Sequence, residues 1–249
     1  MLHSTNGIVF HSLKYSETSI IVKIYTELFG LQSYLVKGIR NAKSKIKPGL
    51  FQPLTLLDLV VYHKEKQSLQ SVKEVHLAHP FKSIPFDIRK SSVALFINEL
   101  VYKAIREEEA NPELFVFLWQ ACLDLDDTEE SVSDFHICFA IRLCEHLGIS
   151  PRNNYSETSP VFNLREGVFQ SSIPGHPHYL LPPQSHLFSR LLESVNDGES
   201  QHSEKRNGDI FPDHASRNRI LETILLYYQL HLPGFHGVQS HHILHDVLA

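Results

Sequence analysis

The spacing of apolar residues changes period once along this chain, close to residue 85. Between Gly7 and Leu77 apolar and polar positions alternate over short runs, the period expected of strands. Ile8, Phe10 and Ser12 alternate with Val9 and His11. The run Ser19 to Thr26 is rich in β-branched and aromatic residues, and Gly30 supplies a turn before Leu31 to Val36. Leu54 to Tyr62 is a strongly apolar run, and Leu69 to Leu77 follows the polar turn from His63 to Ser68. This pattern predicts about five strands without a helix longer than a turn or two, a set that commonly closes into a small barrel of the OB type.

Beyond Pro80 and Pro85 the period becomes helical. Val93, Phe96, Ile97, Leu100, Val101, Ala104 and Ile105 recur at spacings of three and four between Phe86 and Glu109. Asn111-Pro112 has the form of an N-cap followed by a first helical residue that lacks an N–H, and Leu114, Phe117, Leu118, Ala121 and Leu125 give the next helix its stripe. Phe135 to Leu147 is apolar on most sides and stops at Gly148, suited to a helix C-terminus. Helices are also expected over 185–195, 214–231 and 239–248. Ser150 to Pro183 is irregular and proline-rich, too long for a plain connector, and is either a small subdomain or a functional excursion. Asn196 to Gly208 is polar and is expected to be a mobile surface loop. The predicted class is α+β in two domains: a five-stranded OB-type barrel over 1–82 and an all-α helical domain over 83–249, with an irregular insertion at 150–183.

Charge divides the chain at the same place. Residues 1–82 hold eleven Lys and Arg against five Asp and Glu, a net +6, whereas 83–249 hold 12 against 23, a net −11. Five of the cations, Lys37, Arg40, Lys43, Lys45 and Lys47, stand in one stretch without an acidic residue, Lys37 to Pro48. Its low apolar content reads as a solvated loop. A basic module joined to an acidic one suggests a polyanion for the first and a protein for the second.

Catalytic templates are missing. The sequence contains no phosphate loop, G-x-G-x-x-G, H-E-x-x-H or G-x-S-x-G pattern. Seventeen histidines include His176, His178, His241 and His242, but no carboxylate or cysteine stands at ligand spacing beside them. Asp124, Asp126, Asp127, Glu129 and Glu130 read as a solvated acidic face. Cys122, Cys138 and Cys144 lack paired spacing and read as small buried hydrophobes. Neither a signal sequence nor a long apolar span is present in the 249 residues, which read as soluble and cytoplasmic.

Binding is the chemistry left. OB-type barrels hold single-stranded nucleic acid through a cationic groove and aromatic faces on which bases stack. Tyr15, Tyr25 and Tyr34 lie in or beside the strands near the basic loop. By alternation Tyr25 and Tyr34 are each either an exposed stacking platform or a core residue with its hydroxyl at the surface.

The chain resembles the RecO family of bacterial recombination mediators and DNA-repair proteins. The resemblance is carried by Tyr15-Ser16-Glu17-Thr18-Ser19, Tyr25-Thr26-Glu27 with Gly30, Lys37-Gly38-Ile39-Arg40 and Gln52-Pro53. It continues in Leu147-Gly148 with Pro151, the run Phe162 to Gly167, Tyr227-Tyr228 with Leu230, and Gly234-Phe235. It implies an OB-fold joined to a helical domain in a non-enzymatic protein that binds single- and double-stranded DNA and anneals complementary strands. It also implies a ring-forming partner, RecR, contact with the acidic C-terminal tail of the single-strand-binding protein, and help in loading the recombinase. The DNA-contacting positions it implies are Lys37, Arg40, Lys43, Lys45 and Lys47, with Lys14 and Tyr34 beside them. Many members carry a four-cysteine zinc module after the Leu-Gly-x-x-Pro motif, whereas 150–183 holds no cysteine here. Zinc is therefore not carried over, and the excursion is expected to hold itself by packing Val161, Phe162, Leu164, Phe169, Ile173 and Tyr179. The competing readings are an RNA-binding OB protein, a metal-assisted hydrolase built on the histidines, and a purely protein-binding adaptor.

Overall fold

The computed structural model describes residues 1–39, 46–197 and 210–248. They fall into two compact units, Met1–Val132 and Ser133–Ala249. In the first, strands β1 (Leu2–Lys14), β2 (Ile20–Thr26), β3 (Gly30–Val36), β4 (Leu56–Tyr62) and β5 (Leu69–Leu77) close a barrel in the order β1-β2-β3-β5-β4. Every pairing is antiparallel except β3 with β5. Alternation sends Val9, Val22, Ile24, Tyr34, Val36, Leu57, Leu59, Val61 and Val75 into the interior. Closure leaves no free sheet edge, and the side chains fill the lumen.

The opposite face of the same strands is partly covered by α1 (Ile88–Ala104) and α2 (Pro112–Asp127). A bulge between Val9 and His11 leaves Phe10 on this outer wall, where its ring stacks on Tyr25 with centroids 5.6 Å apart. Tyr25 in turn faces Phe115 of α2 at 6.3 Å, and His11 stacks on Tyr102 of α1 at 5.0 Å. The change of period at residue 82 thus falls within one compact unit, because a barrel strand with apolar residues on both faces needs a helix to cover the outer one.

Sequence signals set the helix ends. Asn111 accepts a hydrogen bond from the Leu114 N–H at 3.0 Å, as the Asn-Pro start predicts. Asp87 caps α1 through the Arg89 N–H at 2.8 Å. The buried stripe of α2 contains Phe115, while Phe117 is only half-buried. The segment between the barrel and α1 is fastened by Asp126, which is 3% exposed. Its carboxylate accepts the N–H groups of Lys82, Ser83 and Ile84 at 2.8, 2.9 and 2.9 Å. Burial alone would raise this carboxyl, but the three backbone donors and the Ser83 hydroxyl outweigh it and hold the group below the usual carboxylate range. Lys90 completes the knot, its ammonium donating to the Asp126 carbonyl at 2.8 Å and to Ser83 Oγ at 2.7 Å. Asp126 is therefore not part of a solvated acidic face, since an acidic cluster at a helix end can turn one member inward to bind backbone donors.

In the second unit α3 (Phe135–His146) is followed by three short strands, β6 (Val161–Asn163), β7 (Val168–Gln170) and β8 (Tyr179–Leu180), then by α4 (Gln184–Asp197), α5 (His214–His231) and α6 (His241–Val247). Gly148 has φ of 69°, the left-handed conformation that ends α3 without a Cβ penalty. Residues 150–183 correct the all-α expectation, because β6 pairs with both neighbours in a sheet of order β7-β6-β8. Residues 198–208 of the expected mobile loop lie outside the described residues.

Candidate nucleic-acid interface

The basic stretch leaves β3 at Lys37 and returns to the barrel at a 3-10 turn over Pro48–Phe51. Both of its shoulders are anchored. Gly38 takes a φ of 70°, and the chain then turns Ile39 into the barrel core, where it is 2% exposed. Ile46 and Leu50 pack against the same core, and Phe51 enters it at 2% exposure. The described shoulders of the stretch are therefore anchored in the core rather than wholly solvated as its composition suggested. Ile39 and Ile46 sit at the two shoulders, where they pack into the barrel core and leave Lys37 and Lys47 exposed. Arg40, Lys43 and Lys45 lie outside the described residues.

Register brings a second segment to this end of the barrel. Lys14 pairs with Ile20, and Ile20 with Val36, the residue before Lys37. The β1–β2 turn and the basic stretch consequently leave the sheet side by side, with Lys14 exposed. Below them a cross-strand row, Leu13, Ile21, Leu35 and Ser71, runs over β1, β2, β3 and β5. Leu13 is 53% exposed, and Lys23 stands two rows lower on the same face, in register with His11 and Ser33. Lysines around an outward apolar row match what a stacked, charged polymer needs. Sequence reading missed Leu13, Ile21 and Lys23; the signal was that Leu13 and Ile21 are apolar on the side opposite Val22 and Ile24, with Lys23 on that same side.

Tyr34 is corrected as a stacking platform. It pairs with Val22 and lies wholly inside the barrel, and burial pushes its hydroxyl up to about 12, only partly offset by Thr26. Tyr25 is on the outer wall but is covered by Phe10 and Phe115 and is 1% exposed. Tyr15 alone of the three is open to solvent, at 62%.

The other candidate chemistry does not assemble. Among the described residues no group of three or more His, Cys, Asp or Glu side chains is disposed to hold a metal ion. His176 and His178 lie with ring centroids 5.9 Å apart, and His241 and His242 with centroids 3.9 Å apart on α6. Burial pushes the Cys122 and Cys144 thiols up to about 12, which keeps both protonated and inert, while Cys138 is half-buried. No helix among the described residues is long and apolar enough to cross a membrane.

The excursion at 150–183 is held by packing and hydrogen bonds. Phe162 is fully buried, with Phe169 and Phe188 rings at 4.8 and 4.7 Å. Val161 and Leu164 are buried, Tyr179 half-buried, and Ile173 is 60% exposed and outside the cluster it was expected to join. The Asn154 side chain both donates to the Phe169 carbonyl and accepts its N–H, at 2.9 and 2.8 Å. Asn163 caps the tight turn by accepting the Arg165 N–H at 3.0 Å.

Comparison with known proteins matches the chain in two stretches. Residues 1–81 match the family described as Recombination protein O N terminal, and 85–238 match Recombination protein O C terminal. The chain is 38% identical over 249 residues to the DNA repair protein RecO of Bacteroides fragilis, covering 99% of each. It is 34% identical to that of Phocaeicola vulgatus over the full length of both, and 35% identical to that of Flavobacterium johnsoniae over 98% of each. Matched at both ends and along its whole length, the chain belongs to the RecO family of DNA repair proteins.

Proposed function

We propose that this protein is a non-enzymatic mediator that binds single- and double-stranded DNA through the anchored basic stretch and anneals complementary strands. The observation that carries the proposal is the meeting, at one end of a closed barrel, of exposed Lys14, Lys37 and Lys47 in a region of net +6 within an acidic protein. Annealing requires no covalent chemistry. Cations lower the repulsion between two phosphate backbones, and base pairing supplies the driving free energy. The acidic remainder restrains non-specific polyanion binding and offers a surface to proteins, which fits a role beside RecR and the single-strand-binding protein tail in helping to load the recombinase. The domain boundary that fits this division of labour lies at 82, where the charge changes sign.

A salt titration of fluorescent single-stranded DNA tests the reading. If the five cations of the stretch each meet a phosphate, log K against log salt has a slope of roughly −3 to −4. An affinity independent of salt overturns it. Competition by RNA of the same sequence that beats DNA through its 2′-hydroxyls transfers the site to RNA.

A further inference from the structure

We propose that Tyr15 is a base-stacking residue that gives the barrel end its preference for single strands over duplex. The inference rests on the DNA-binding reading above and extends it to a position the basic residues do not include. Tyr15 opens the β1–β2 turn directly after Lys14, and its ring is 62% exposed. An exposed tyrosine on a slack loop would mean little, but this turn is closed on itself. The Tyr15 and Ser16 N–H groups both donate to the Ser19 carbonyl, at 3.0 and 3.1 Å. The Ser19 N–H donates back to Ser16 Oγ at 3.1 Å. The backbone that carries the ring is therefore fixed before any ligand arrives, which lowers the ordering cost of a stacked complex.

The ring's neighbours supply what stacking alone lacks. Leu13, two residues earlier in β1, is 53% exposed and begins the apolar row through Ile21 and Leu35. Lys14 and Lys37 flank the turn through the Lys14, Ile20 and Val36 register. A single strand can place a base on Tyr15 and keep its adjoining phosphates near the two ammonium groups. A duplex has its bases stacked on each other and offers only phosphates, so Tyr15 has nothing to gain from it.

The test compares wild type, Tyr15→Ala, Tyr15→Phe and Lys37→Ala/Lys47→Ala for affinity to a thymidine oligonucleotide and to a duplex, each at two salt concentrations. Tyr15→Ala is expected to weaken single-strand binding by roughly five- to hundredfold while leaving duplex affinity and the salt slope unchanged. Tyr15→Phe, which keeps the ring, is expected to restore single-strand binding. Equal losses on single strand and duplex, or no loss on either, overturn the stacking role. If the double lysine variant loses salt-dependent binding while Tyr15→Ala keeps its strand preference, the DNA-binding reading stands and this inference falls. If wild type retains neither oligonucleotide at low salt, both fall.

Discussion

The two long non-helical connections, 37–55 and 150–183, differ in where their polar groups find partners. In the excursion the Asn154 amide and the Asn163 side-chain oxygen are spent on backbone groups of the same segment, the Asn163 NH2 donates to Gln170 Oε1, and Phe162 packs tilted between Phe169 and Phe188. In the basic stretch the apolar residues Ile39, Ile46 and Phe51 face the barrel, while Lys37 and Lys47 face water. A connection that satisfies its own polar groups is built to hold shape. One that anchors its ends and exposes Lys37 and Lys47 holds cations open to the polyanion proposed above.

Changes in the excursion are expected to separate the two most sharply. Phe162→Ala removes a ring at the centre of that cluster and is expected to cost about 3–5 kcal/mol in denaturant unfolding. A loss under 1 kcal/mol would show that the excursion holds without its aromatic centre. Next, Ile39→Ala is expected to destabilise by about 2–4 kcal/mol, because it empties a place in the barrel core rather than on a loop surface. If instead its unfolding midpoint matched wild type, the stretch would be the free loop its composition suggests. Asn154→Ala leaves the Phe169 N–H and carbonyl without their partner and is expected to cost about 1–3 kcal/mol, read in the same unfolding series.

The smallest stability change is expected where the functional change is greatest. Replacing Lys43, Lys45 and Lys47 together by Ala is expected to shift stability by less than about 0.5 kcal/mol. The same variant should weaken single-strand binding and strand annealing, and flatten the salt slope by roughly 2. Unchanged DNA affinity would remove the loop from the interface.

A pH series probes the second unit separately. His136 is fully buried, and its imidazole is pushed down to about 3 by that burial, with Arg217 and His245 adding to the effect. The unfolded chain takes up this proton near the ordinary imidazole value, and the folded chain takes it up only near 3. Stability is therefore complete above about pH 7 and declines as pH falls from there toward 3. His136→Gln should flatten that decline in melting temperature between pH 7.5 and 5; an identical pH profile would assign the acid sensitivity to other groups.

Much of this architecture was legible because it depends on neighbours in sequence. The strand periods between Gly7 and Leu77, the Asn111-Pro112 start and the Gly148 stop are local conditions on φ, ψ and hydrogen bonding, and the folded chain keeps them. Charge segregation was equally plain, since net charge needs no coordinates. Ile39, Asp126 and Ile173 resisted sequence reading for a common reason. Each residue's surroundings are supplied by residues far away in the chain, so an isoleucine in a basic loop could plug a core while one in an apolar excursion stayed in water.

By itself, the sequence determined that a basic strand-rich region precedes an acidic helical one, and which residue types could meet a polyanion. Only the tertiary structure decided among the tyrosines. Alternation put Tyr25 and Tyr34 on opposite faces of their sheet, but closure of the barrel buried one face and α2 covered the other around Tyr25. Tyr15 stayed exposed because the turn that carries it projects past the last paired residues of β1 and β2.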